Sequence, residues 1–289
     1  MKKRCGNVKI NIGDLASIFY RVRTSIMVFS SMFFVLVFLV LCYGVYLLAK
    51  TMKQKNIVLL VSSLIFYAWG GPVLCLLLCL ETFICYVGAR IIDVTREKKF
   101  RLAYTWVTVL VCLGLLIFFK YTGFFASNFI SLFNLDATAP SIVLPIGISF
   151  YTFQLVSYVI DVYRGDIKTE RNFFFYALFV SFFPQLAMGP ISRYADTGEQ
   201  LKAPHSFDAK DAWCGLLRIL WGFFKKLVVA DAIAPAIGYI VREELGGVYF
   251  FLLCIFYSIR IYGDFTGGMD IIIGSAQILG IKLPENFNR

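Results

Sequence analysis

The chain has 289 residues, 59% of them hydrophobic and 16% charged, with 30 Phe and a mean hydropathy of +0.75. A soluble domain is nearer half apolar and about a quarter charged, so a soluble globular protein is excluded and an all-α, polytopic integral membrane protein is expected. The net charge of +10 does not signal nucleic acid, because Lys and Arg gather in an N-terminal tail and in short loops, the habit of cytoplasmic loops beside anionic headgroups.

Residues 1–26 are basic and mixed, with Lys2, Lys3, Arg4, Lys9, Arg21 and Arg23. They lack the apolar core and small-residue cleavage site of a secretion signal, and the sequence restarts at Met27-Val-Phe-Ser-Ser. They are read as a basic cytoplasmic tail or as an extension upstream of the native start, with a transmembrane core over 27–289. The first span covers 28–49 and ends in a basic turn. Residues 57–69 and 73–92 form two segments, because Gly70-Gly71-Pro72 breaks the run between them. A span over 102–120 continues as an amphipathic piece to Phe133, and the polar residues 134–141 form a loop. Spans over 142–163 and 172–188 follow, then a polar stretch over 190–211 that belongs outside the hydrocarbon. Residues 212–240 read as amphipathic or re-entrant, with Arg218 and Lys225 on one face and Pro235 interrupting the end. Residues 247–265 and 267–281 read as two further helices. The total is roughly eight to nine membrane helices or re-entrant segments. Basic residues flank both ends of the first span, which leaves the orientation open.

Three polar groups interrupt this apolar background. In Leu144 to Gly165, Gln154, Ser157 or Tyr158, and Asp161 fall on one helical stripe. An ionisable group at membrane depth costs several kcal/mol unless it faces the bundle interior, a partner or a wet path. The competing reading makes these residues simple helix bridges, with Asp161 paired to Arg164 near the interface. In Phe182 to Arg193, Pro184, Gly189 and Pro190 break a helix, as at many membrane binding sites. The competing reading is an ordinary helix end with Arg193 anchored among headgroups. In Arg260 to Asp270, Arg260 and Asp264 are spaced to pair, and two carboxylates flank Gly267-Gly268, which is expected to bend the helix. These stripes together predict a central polar tunnel.

Other chemistry is poorly supported. Of the eight cysteines, seven lie in or beside apolar runs and none forms a C-x-x-C pair, so they read as small hydrophobes. His205 is the single histidine and reads as a solvated loop residue, so neither a metal centre nor a bound cofactor is expected. No G-x-S-x-G, Walker or G-x-G-x-x-G motif is present.

The three groups, in this order, resemble the membrane-bound O-acyltransferase family, in its bacterial branch for alginate O-acetylation and teichoic-acid D-alanyl transfer. The matching strings are Met27-Val-Phe-Ser-Ser, Phe66-Tyr-Ala-Trp-Gly70, Leu144 to Gly165, Phe182 to Arg193, Gly222 to Asp231, Tyr262 to Asp270, and Leu279-Gly-Ile-Lys-Leu-Pro-Glu-Asn-Phe-Asn-Arg289. They span about residues 27–289. At Gly267-Gly268-Met269 the chain departs from the family's Ser/Thr-Gly-Tyr-Ser-Asp and loses a Tyr and a Ser.

The resemblance implies a multi-pass acyltransferase of the cell membrane, surrounded by lipid. It would move an acyl group, most simply acetyl, from a cytoplasmic thioester donor (acetyl-CoA or an acyl carrier). The acceptor would be a hydroxyl of a cell-surface polysaccharide or a secreted esterase-like or transferase partner. Gln154, Asp161, Arg193, Tyr262, Asp264, Asp270, Asn286 and Asn288 become candidates for the tunnel wall and its supports. In the family a Trp-Arg-Arg-Trp-His segment follows the Asn-Phe-Asn motif and holds the catalytic histidine. That position lies past Arg289, so the resemblance implies a C-terminally incomplete chain, inactive alone. A transporter or channel would use the same inward polar stripes without chemistry, and a non-catalytic remnant is the third reading.

Overall fold

A computed structural model describes residues 31, 33–133, 137–138, 140, 142–186, 189–203, 208–243 and 246–286; among them there are helices and no strand. Helix α1 (Phe34–Leu48) opens as a π-helix over Phe34–Leu39. Helix α2 (Met52–Gly70) starts at a capping box. Gln54 donates its backbone N–H to Thr51 Oγ1 at 3.3 Å, and Thr51 N–H donates to Gln54 Oε1 at 3.1 Å, so two otherwise orphan donors are satisfied reciprocally. Helix α3 (Pro72–Val94) begins on Pro72, whose missing N–H costs nothing in a first turn. The expected break at Gly70-Gly71-Pro72 is therefore present.

Helix α4 (Lys98–Leu132) is one continuous element of 35 residues. At 1.5 Å per residue it is about 52 Å long, well beyond a hydrocarbon core of about 30 Å. Helix α5 (Ile148–Arg164) starts six residues inside the apolar window predicted for it. Pro145 and the left-handed Gly147 (φ 73°) hold the preceding residues out of helical geometry. Its other end is a Schellman turn: Asp166 N–H donates to Asp161 O at 3.0 Å and Gly165 N–H to Val162 O at 3.1 Å, with Gly165 at φ 83°.

Helix α6 (Phe173–Ser181) is capped by Asn172. The chain leaves helical geometry at Phe182 and resumes as the single turn α7 (Phe183–Leu186), with Pro184 in that first turn. A π turn (Tyr194–Gly198) and the short α8 (Glu199–Lys202) follow. Helix α9 (Ala209–Phe223), a π segment (Phe224–Ala230) and α10 (Asp231–Arg242) run on without interruption. Pro235 does not end the helix as expected. It lies in the first turns of α10, five residues past the π segment, and the helix continues to Arg242.

The two helices predicted over 247–265 and 267–281 are one, α11 (Val248–Ile278). Gly267 does not interrupt the helix, and it is used for close approach. A Cβ on Gly222 would lie 2.6 Å from Gly267 O, and one on Gly267 would lie 2.7 Å from Gly222 O. Seven residues away on each helix, Gly215 and Gly274 repeat the contact at 2.7 and 2.5 Å. Two facing glycine pairs thus let α9 and α11 pack backbone to backbone, the small-residue solution for helix association in lipid.

Helices α2 to α6 form the other body of the fold, packed mainly through α3 against α4 and α5. Tyr151, Leu155, Tyr158, Tyr176 and Phe179 are fully buried at its centre. Its outside is apolar: Val73, Val107 and Phe124 are each more than half exposed, as suits lipid contact. Helices α3, α4 and α11 are long and apolar enough to cross a membrane.

Candidate functional site

The break between α6 and α7 shows how the sequence handles freed backbone groups. In a continuous helix Phe183 N–H would donate to Phe179 O. Here Phe183 N–H donates instead to Ser63 Oγ on α2, at 3.0 Å. Phe179 O is left to accept from two side-chain amides, Gln154 Nε2 at 3.3 Å and Gln185 Nε2 at 2.5 Å. Gln154 is buried and its role is settled locally: it repairs the broken helix. Asp161, two turns along the same stripe, is also buried. Its electrostatic cations are Arg193, from the segment after the break, and Arg164. The expected ion pair with Arg164 is not formed: among the described residues Asp161 has no cation within ion-pair distance, and the Arg193 side chain is exposed.

The second group lies between α9 and α11. Asp270 is 3% exposed, yet it accepts from two cations: Arg218 Nε on Oδ1 at 3.0 Å and Lys225 Nζ on Oδ2 at 2.6 Å. Arg218 also forks onto Glu285, Nη1 and Nη2 reaching its two oxygens at 2.5 Å each. A bidentate guanidinium–carboxylate pair fixes orientation as well as charge. This clasp joins α9, α11 and the segment after α11, where Leu279, Ile281 and Leu283 are buried on alternate positions. Asn286 is exposed, its Nδ2 3.5 Å from Met269 Sδ. Asn288 and His205 lie outside the described residues.

Asp264 and Tyr262 are exposed on α11. Asp264 does not take Arg260 as its ion-pair partner: Lys226 reaches it at 2.6 Å and Asp231 at 3.0 Å. The adjacent Lys225 and Lys226, both in the π segment, reach different carboxylates, Asp270 and Asp264. The candidates therefore fall into two groups, Gln154, Asp161 and Arg193 in one, and Asp264, Asp270 and Asn286 in the other. Three described cavities are mostly apolar grooves, and none of the candidates lines them.

Two carboxylates escaped the sequence reading. Glu170, in the loop between α5 and α6, accepts Arg171 and Asn172 N–H on Oε1 at 2.8 Å each. Its Oε2 accepts Tyr194 O–H at 2.6 Å and pairs with Lys202. Burial works against its charge, but Lys202, Tyr194 and the Asn172 N–H outweigh it and hold the carboxyl below the usual range. Glu81, within α3, is fully buried; Thr152 O–H donates to its Oε2 at 3.0 Å, and Oε1 has no partner among the described residues. A lone acid in the run Leu80-Glu81-Thr82 was a visible signal for Glu81. Nothing local marks Glu170, whose partners lie in three separate stretches of chain.

Chemically, Asp270 is a carboxylate bonded by two cations, an arrangement suited to fixing geometry. No protein-family model matches the chain. It is 35% identical to the probable alginate O-acetylase AlgI of Azotobacter vinelandii, over 91% of this chain and 54% of that protein. It is 31% identical to the peptidoglycan O-acetyltransferase of Helicobacter pylori, over 95% of this chain and 58% of that protein. The teichoic acid D-alanyltransferase of Bacillus subtilis is 31% identical over half of this chain and 38% of its own length. The chain spans about half the length of the relatives it matches.

Proposed function

The chain belongs to the membrane-bound O-acyltransferase family, and from that premise we propose that it serves O-acylation of a cell-surface polysaccharide, with acetyl as the group moved. The observation that carries this is its 35% identity, across 91% of its length, to a protein named for O-acetylation. The donor in this reading is an acyl thioester. The acceptor oxygen attacks the thioester carbonyl, the new C–O bond forms as the C–S bond breaks, and the acceptor's proton leaves with the thiol. A secreted esterase-like partner that relays the acyl group to the polysaccharide fits the same chemistry.

The described residues supply scaffold to this reaction, and none of them is assigned the proton transfer. Asp270 with Arg218 and Lys225 keeps α9, α11 and the following segment in register. Gln154 and Gln185 keep the α6–α7 break open without unsatisfied backbone. Both arrangements brace the walls of a passage between two compartments, in a multi-pass protein of the cell membrane. The reading includes the expectation that the chain needs the histidine-bearing segment, so it is tested by supplying acetyl-labelled thioester to membranes that contain the protein extended by that segment, with its native polysaccharide. Label is expected in an alkali-labile ester on the polysaccharide. Label that stays with the donor, under conditions where the Azotobacter vinelandii relative transfers it, overturns the reading.

A further inference from the structure

The helix connections sort into two ends, and side-chain bonds show which loops share an end. At one end Arg101 Nη2 donates to Tyr163 O at 3.1 Å, Thr169 O–H to Asp93 Oδ2 at 2.6 Å, Tyr86 O–H to Arg171 O at 2.6 Å, and Asn56 Nδ2 to Leu201 O at 3.3 Å. The α1–α2, α3–α4 and α5–α6 connections therefore lie together, with α8 beside them. At the other end Tyr67 O–H donates to Ile146 O at 3.0 Å and Lys120 Nζ to Ser149 Oγ at 3.3 Å. That joins the α2–α3 turn to the α4–α5 connection.

The charge is divided just as sharply. At the first end, residues 49–56 hold three lysines, residues 94–101 hold four Lys or Arg, and residues 164–172 hold three. At the second end, residues 69–73 and 121–147 hold no Lys or Arg at all. Short loops rich in Lys and Arg stay on the cytoplasmic side of a membrane, where the leaflet is anionic. We propose that the end bearing Lys50, Lys98 and Lys168 faces the cytoplasm and that the α2–α3 turn and α4–α5 connection face outward. This rests on the acyl-transfer reading for one consequence only: a thioester donor made in the cytoplasm enters at the basic end, and the polysaccharide hydroxyl approaches from the end where Lys120 is the one cation placed.

The test is cysteine labelling in intact cells with a membrane-impermeant maleimide, each site located by peptide mass spectrometry so that native thiols do not confuse it. Glu97→Cys and Asp166→Cys report the basic end; Ala137→Cys and Thr138→Cys report the other. The outward pair should label at least ~10-fold faster than the basic-end pair in intact cells, and all four equally after permeabilisation. Faster labelling at Glu97→Cys and Asp166→Cys, or equal labelling at both ends before permeabilisation, overturns the proposal. Residues 1–26 carry a second basic group, so the same measurement is made after deleting them. An unchanged pattern supports loop charge as the determinant, and a reversed one overturns it. Because labelling needs no catalysis, a failure here is separate from a failure of acyl transfer.

Discussion

Substituting Gly222 by Ala tests the α9–α11 contact directly. The added Cβ would meet Gly267 O at 2.6 Å, Ile271 Cγ1 at 2.8 Å and Ile271 N at 3.0 Å. Two of those three atoms are backbone, so no rotamer change clears the clash. Ordinary contact begins at 3.4 Å, so the helices must part by about 0.8 Å, as overpacked cores do at a cost of ~1–3 kcal/mol. Ala returns at most ~1 kcal/mol through its better helix propensity. With the full return the net loss is about 0–2 kcal/mol, a fall in Tm of up to roughly 8 °C for a chain of this size. Gly267→Ala should do the same, and the double variant should lose less than the two single losses combined, because one separation relieves both clashes. Gly114→Ala and Gly238→Ala, with nothing within 4 Å of the new Cβ, should match or exceed the parent in thermal unfolding of the purified protein. If Gly222→Ala unfolds where Gly114→Ala does, the backbone contact between α9 and α11 is not what holds them.

Asp270→Asn leaves Arg218 and Lys225 facing a neutral amide in a largely buried clasp. A loss of ~2–4 kcal/mol is expected, read as a lower denaturation midpoint, with Asp264→Asn at the exposed pair costing under ~1 kcal/mol. Glu170 gives a pH dependence whose sign follows from its depressed pKa. Its contribution is complete above the ordinary carboxylate range near ~4.3 and is lost as pH falls through the lower folded value. The protection factor of the Asn172 amide, its exchange compared with the intrinsic rate at the same pH, should therefore fall on acidification below about pH 4, and in Glu170→Gln it should already be low at neutral pH. Gln154→Leu and Gln185→Leu should each cost little alone, since the other amide still serves Phe179 O. The double variant strands that carbonyl and should lose an extra ~1–3 kcal/mol, measurable as a non-additive double-mutant cycle.

Where an element is set by its own covalent geometry, the sequence made it plain. Pro72 after two glycines has to start a helix rather than continue one, and Pro184 and Pro190 had to disturb the run after Phe182. The stripe of Gln154 and Asp161 likewise had to point inward, because lipid offers them nothing. Choices made by a distant partner were hidden. Gly267 serves close approach, and only Gly222 facing it from α9 reveals that use. Arg260 is well spaced for Asp264, yet Lys226 takes that carboxylate from a π turn that no periodicity announces. The shared face of Arg218 and Lys225 was readable, but their common target Asp270, 45 or more residues away, was not. Glu170 was illegible for the same reason: its partners Tyr194 and Lys202 come from beyond the broken helix.

The most direct measurement is the ester-linked acetyl content of the cell's envelope polysaccharide, compared between cells with the gene intact, deleted and restored. The account predicts that acetyl esters fall on deletion and return on restoration, while the polysaccharide itself is still made. Unchanged acetyl content in the deleted strain, or a loss of the polymer with its remaining acetylation intact, contradicts it.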